Sequence, residues 1–195
     1  MRKIMTTLTV AMFFGAFTLN AQSLQIIPKA GNSLSKINIK GYDGEKFKGG
    51  FQGGVALNIA VGTSRFSVQP EINFTNKGMA YYIVDGITTE EFNINYLELP
   101  VLLKFNLGLA YINAGPSIAL KLGNQKYPVA EFGSLKKIDF GMQFGGGLAI
   151  PVGMGKFIVD VRYYHGLMNI SEFEGAEIKT RGIITTVGYA VPLGR

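Results

Sequence analysis

Six ionisable residues stand out because they share one parity of alternating segments: Arg65 and Glu71, Glu98 and Lys104, Asp160 and Arg162. Each pair is separated by an even number of residues, so along an extended strand both members point to the same side. Opposite charges gathered on one face suit two kinds of chemistry. They can line a path for protons or ions, or they can neutralise one another where little water reaches them. The second is favoured here, because an eight-strand enclosure is just wide enough for side chains to fill.

Nucleophilic chemistry finds little support. His165 is the only histidine, and a catalytic histidine needs a nucleophile on one side and an orienting carboxylate on the other. Some eight-strand barrels that deacylate lipid A carry His and Ser two apart on an outward strand face. The residue two beyond His165 is Leu167, so that pattern fails. Ser171 and Glu172 follow in a loop with no spacing that ties them to His165, which reads as an interfacial residue. Gly145-Gly146-Gly147 and Gly49-Gly50 lack the following Lys-Ser/Thr of a phosphate loop. The acids Asp43, Glu45, Asp85, Glu90, Glu91, Glu172, Glu174 and Glu177 match no calcium-loop spacing. No catalytic, cofactor-binding or metal-ligating residue is therefore assigned, and no enzymatic activity is expected.

Composition says where such a chain can live. Charged residues make up only 16% of the 195, against roughly 25% in ordinary soluble proteins. Apolar residues reach 47%, and there are 26 glycines. Arg2 and Lys3 precede the apolar run Leu8–Leu19, and Leu19-Asn20-Ala21 ends on a small residue. This pattern predicts a secretory signal peptide over 1–21 and a single domain over 22–195. There is no cysteine, hence no acylated cysteine, disulfide or thiolate metal site. The basic residues behind a net charge of +6 do not cluster with aromatics, so no nucleic-acid surface is expected. After the leader no stretch of about 18 apolar residues exists to span a bilayer as a helix. An exported, apolar chain without such a helix is left with a closed barrel as its way to satisfy every backbone group in lipid.

The alternation bears this out along the chain. From Arg65 to Lys77, Phe66, Val68, Pro70, Ile72 and Phe74 oppose Ser67, Gln69, Glu71, Asn73 and Thr75. Strands are likewise predicted near Leu24–Asn32, Gly50–Val61, Glu91–Asn106, Ala110–Leu122, Lys136–Pro151, Lys156–His165 and Lys179–Pro192. Within Glu91–Asn106 the apolar parity switches between Ile94 and Leu97, which predicts a β-bulge near Pro100. Pro70 and Pro116 have no such explanation in the sequence. The predicted connections alternate without exception between long (33–49, 78–90, 123–135, 168–178) and short (62–64, 107–109, 152–155). The expected fold is therefore an eight-stranded antiparallel up-and-down transmembrane β-barrel, with short periplasmic turns and long extracellular loops. The polar face carries Gly, Asn, Gln and Tyr but no Lys/Glu-rich coat, so it is placed inside and the apolar face in lipid. Tyr81, Tyr82, Phe92, Tyr96 and Tyr127 are expected in an aromatic girdle.

A series of short segments then becomes recognisable: Lys29-Ala30-Gly31-Asn32, Gln69-Pro70-Glu71-Ile72-Asn73-Phe74 with Lys77-Gly78, and Tyr96-Leu97-Glu98-Leu99-Pro100-Val101-Leu102-Leu103-Lys104. Ala114-Gly115-Pro116-Ser117 and Arg162-Tyr163-Tyr164-His165-Gly166-Leu167 with Asn169-Ile170 continue it. In this order they resemble the PorT-like outer-membrane β-barrel family, common in the Bacteroidota, over essentially the whole chain after the leader. The resemblance implies an integral protein of the cell outer membrane, and its namesake suggests a link to protein secretion. Such barrels usually finish on an aromatic residue, whereas this chain ends Gly188-Tyr189-Ala190-Val191-Pro192-Leu193-Gly194-Arg195.

The leading expectation is a non-enzymatic barrel with a structural, adhesive or accessory role. The alternatives are an accessory of secretion across the outer membrane and, behind it, a lipid-modifying enzyme or narrow pore. The expected partners are outer-membrane lipid and lipopolysaccharide, the barrel-assembly machinery during insertion, and secretion-system or envelope proteins.

Overall fold

Strand side chains alternate sides, and the contrast between the two faces organises this chain. The computed structural model describes residues 24–39, 47–82, 89–123, 135–172 and 178–193. Residues 1–23, Tyr127 and part or all of each long connection lie outside the described residues, as do the side chains of Tyr81, Tyr82 and Phe92. Eight strands run β1 Leu24–Ile39, β2 Lys48–Ala60, β3 Phe66–Tyr82, β4 Thr89–Leu107, β5 Ala110–Leu122, β6 Ile138–Val152, β7 Gly155–Gly166 and β8 Ile178–Pro192. Each pairs antiparallel with the next, and β1 pairs with β8 to close the barrel.

Two of the short turns are two-residue hairpins. Leu107 pairs with Ala110 and Val152 with Gly155, leaving Gly108-Leu109 and Gly153-Met154 to reverse the chain. Gly108 and Gly153 take φ of 86° and 60°, the left-handed backbone that tight hairpins require and that glycine adopts without steric cost.

The barrel is polar inside and apolar outside. In β3, Gln69, Glu71, Asn73, Thr75 and Lys77 are buried, while Ile72 is 60% exposed and Phe74 40%. Leu103, Ile112, Phe144, Val161 and Val187 extend the exposed apolar surface around the wall. Among the described residues no helix is long and apolar enough to cross a membrane.

The register overturns the expected bulge near Pro100. The β3–β4 ladder holds one register from Phe66↔Phe105 to Tyr82↔Thr89, and the β4–β5 ladder one register from Asn95↔Leu122 to Leu107↔Ala110. Ile94, Tyr96, Glu98, Pro100, Leu102 and Lys104 all face inward. The apolar parity switches because the interior itself changes, from polar at mid-barrel to apolar towards the long-loop end. Tyr96, expected in a girdle, is for the same reason 1% exposed and inside the barrel.

The prolines are accommodated without slippage. At Pro28 the β1–β8 ladder skips two pairs, between Ile26↔Val191 and Lys29↔Gly188. At Pro70 the β2–β3 ladder skips two, between Ala56↔Glu71 and Ile59↔Val68. Pro100 and Pro116 sit in equivalent gaps of the β3–β4 and β4–β5 ladders. Each proline lacks an N–H toward one neighbour, and the same register resumes beyond it. Each keeps a partner on its other side: Val55, Val101, Ser117 and Met142 respectively.

Candidate functional site

Among the described residues ionisable side chains converge in the barrel interior, and they do so in layers. Its first charged layer centres on Glu71 of β3. Lys29 Nζ of β1 lies 2.5 Å from Glu71 Oε2, and Arg162 of β7 donates to the same oxygen at 2.9 Å. Gln69 and Asn73 donate to the Glu71 carboxylate from its own strand, at 2.6 and 2.9 Å. Arg162 Nε also lies 2.5 Å from Asp160 Oδ1. The other Asp160 oxygen accepts from the Tyr111 hydroxyl at 2.5 Å and from Asn113 at 3.0 Å.

A second layer lies nearer the long-loop end. Lys77 of β3 is ion-paired with Glu98 of β4, and Thr75 donates to Glu98 at 3.2 Å. The Lys77 ammonium stands 3.5 Å from the centre of the Tyr164 ring, a cation–π contact that removal from water strengthens. Tyr164 in turn donates to Asp139 at 2.9 Å.

Apolar clusters bracket these charges. Ile37, Ile94, Tyr96, Ala119, Leu135, Ile170 and Ile178 fill the long-loop end. Ile27, Ala56, Tyr111, Ala149, Ile158 and Ala190 fill the short-turn end. Glycine makes room for the largest side chains. A Cβ on Gly147 would stand 2.5 Å from the Tyr111 hydroxyl, and one on Gly141 2.8 Å from that of Tyr164.

Of the six residues singled out in the sequence, Glu71, Glu98, Asp160 and Arg162 lie in these ion-paired layers. Lys104 is buried but stands apart from the ion pairs, its ammonium 3.6 Å from the Tyr111 ring centre. Arg65 is a correction: it is exposed, because β3 begins only at Phe66. Its carbonyl accepts from both the backbone and side-chain N–H of Asn106, which fixes it in the turn. Sequence reasoning passed over Lys29, Lys77, Tyr111, Asp139 and Tyr164 as members. Their inward parity was the available signal, weakest for Lys29 in the least regular strand.

His165 faces outward beside Tyr163, their rings 6.2 Å apart. Ser171 is buried in the long-loop cap, where its N–H donates to Asn169 and its backbone bridges to Leu135. Among the described residues no group of three His, Cys, Asp or Glu is placed to hold a metal. A carboxylate such as Glu71, already accepting from four donors, is engaged as a structural counter-charge.

Comparison with known proteins agrees with this geometry. The barrel is similar to outer membrane protein OprG from Pseudomonas aeruginosa, with a TM-score of 0.55 at 12% identity, over 91% of this chain and 99% of that one. It is also similar to Neisserial surface protein A, NspA, with a TM-score of 0.50 at 12% identity, over 86% of this chain and 96% of that one. At such identity the likeness is one of fold. No curated protein matches the chain in sequence. Residues 20–172 match the family described as outer membrane protein beta-barrel domain. The chain belongs to that family and is an outer-membrane β-barrel protein.

Proposed function

We propose that this protein is a closed, non-enzymatic barrel with a structural, adhesive or accessory role, acting through the surface it presents at its long-loop end. One observation carries the reading. Among the described residues the lumen holds two layers of paired charges between apolar clusters at either end, which supports a plugged interior over an open path. Reconstitution into planar bilayers tests it. The closed reading expects no conductance steps above the bare membrane, and sustained single-channel currents would replace it with a pore.

Export by way of a leader cleaved after Ala21 belongs to the same proposal, as do lipopolysaccharide and the barrel-assembly machinery as partners. The apolar outer wall supports the lipid contact. A part in protein secretion rests on the PorT-like resemblance, and a deletion strain that secretes its exported proteins normally would remove it.

A further inference from the structure

The short-turn mouth, which faces the periplasm in barrels of this kind, opens into a cavity of about 630 Å³. Arg65, Lys104 and Lys156 line it together with the amides of Asn58 and Asn106, and among the described residues no carboxylate lines it. The layers deeper in the barrel match each cation with an acid, but this mouth does not. Lys104 lies within it at 3% exposure, its ammonium resting on the Tyr111 ring. Arg65 and Lys156 stand exposed at the rim. A buried ammonium resting on a ring face, with two more cations lining the same space, gives the mouth an excess of positive charge.

Two further observations say which anion. The rim is apolar on its outer side: Leu109 is 58% exposed, Met154 89% and Leu193 45%. Such turns sit in the membrane interface, which brings the cationic mouth level with the phosphates of the periplasmic leaflet. A second cavity, of about 400 Å³, runs along the outside of the wall and is lined by Leu103, Phe105 and Ile112. Phe66 borders both cavities, so a polar anion site and an apolar groove meet over one edge of the barrel.

We propose that this edge binds a phospholipid of the periplasmic leaflet. The phosphate and headgroup enter the mouth toward Arg65, Lys156 and Lys104, and an acyl chain lies along Phe66, Phe105 and Ile112. Charge-assisted hydrogen bonds from Arg and Lys suit a phosphate's several acceptor oxygens. The shared border at Phe66 suits an amphiphile over a soluble anion.

The full-length barrel, delipidated in a neutral detergent and titrated with phosphatidylglycerol, tests this by native mass spectrometry. The wild type should hold one phospholipid. Lys104→Gln should weaken phospholipid affinity about tenfold, the order expected for one lost charge-assisted contact, and the double variant Arg65→Gln/Lys156→Gln, which loses two, by at least as much. Phe105→Ala should weaken phospholipid binding without changing what inorganic phosphate does. Folding of each variant is checked by its heat-dependent gel mobility. If Lys104→Gln does not fold, the exposed double variant carries the test alone. Displacement of the lipid by inorganic phosphate at comparable concentration, with Phe105→Ala silent, would show a soluble-phosphate site and overturn the proposal. A wild type that holds no lipid, or charge variants that hold as much as the wild type, would overturn it as well.

Discussion

Glu71 and Arg162 stand 91 positions apart in the chain and meet at 2.9 Å in the middle of the barrel, their side chains 0% and 1% exposed. Strands β3 and β7 are not neighbours in the wall, so this contact spans the lumen and ties opposite sides together. Such a pair gains little over a well-packed apolar replacement, because both ions have been taken out of water. Removing one partner is another matter, since it strands the other as an uncompensated buried charge.

Glu71→Leu should therefore cost about 3–5 kcal/mol, because it deprives Lys29 of its ion-pair partner and Arg162 of one of its two. Denaturant unfolding in lipid vesicles measures this. A loss under about 1 kcal/mol would mean the layer is hydrated and screened.

The Lys77–Glu98 pair should show coupling rather than simple addition. Lys77→Met leaves Glu98 with only its hydroxyl and amide donors, and Glu98→Leu leaves Lys77 with the Tyr164 and Tyr96 rings. In a double-mutant cycle the two changes together should cost less than their separate sum, by about 0.5–3 kcal/mol. Strict additivity would place the two groups outside each other's influence.

Where the two faces contrast, the fold was legible. Strand β5 is observed over Ala110–Leu122 as predicted, because Ile112, Ala114, Ile118 and Leu120 oppose Asn113, Ser117 and Lys121 there. Strand β1 runs seven residues beyond its predicted end, to Ile39. There the outward positions Lys36 and Asn38 are polar and the inward Ile37 is apolar, so the pattern inverts as the strand leaves the membrane core. The same inversion at Ile94 imitated a bulge. Arg65 was misplaced because parity extends indefinitely along a sequence, whereas a strand stops where its ladder stops. The interior charges were visible by parity, but which acid meets which base was not. Those meetings depend on the stagger of strands far apart in the chain.

The prolines give a test of register. Pro100→Ala should change stability by no more than about 1 kcal/mol, since a restored N–H and a freer unfolded chain act in opposite directions. Hydrogen exchange on the folded barrel should show the flanking pairs Pro70↔Val101 and Asn73↔Glu98 unchanged. A one-residue shift in protected amides along β4 would revive the bulge.

The outer wall should respond to charge according to depth. Ile72 lies mid-strand on the outer face, whereas Leu109 lies in a turn. Ile72→Arg should cost about 2–4 kcal/mol and Leu109→Arg about 0–1 kcal/mol, the pattern for midplane and interface positions. Folding titrations in vesicles compare the two. Equal costs would remove the membrane from the explanation.

The central claim, a polar interior within an apolar wall held in lipid, is tested most directly by collision measurements on single spin labels in the outer membrane. The chain has no cysteine of its own, so labels placed at positions 72 to 75 report without background. Labels at Ile72 and Phe74 should collide freely with lipid-soluble oxygen, while those at Asn73 and Thr75 should be shielded both from oxygen and from a water-soluble nickel chelate. A nickel chelate that reached positions 72 and 74 would contradict the account and turn the barrel inside out.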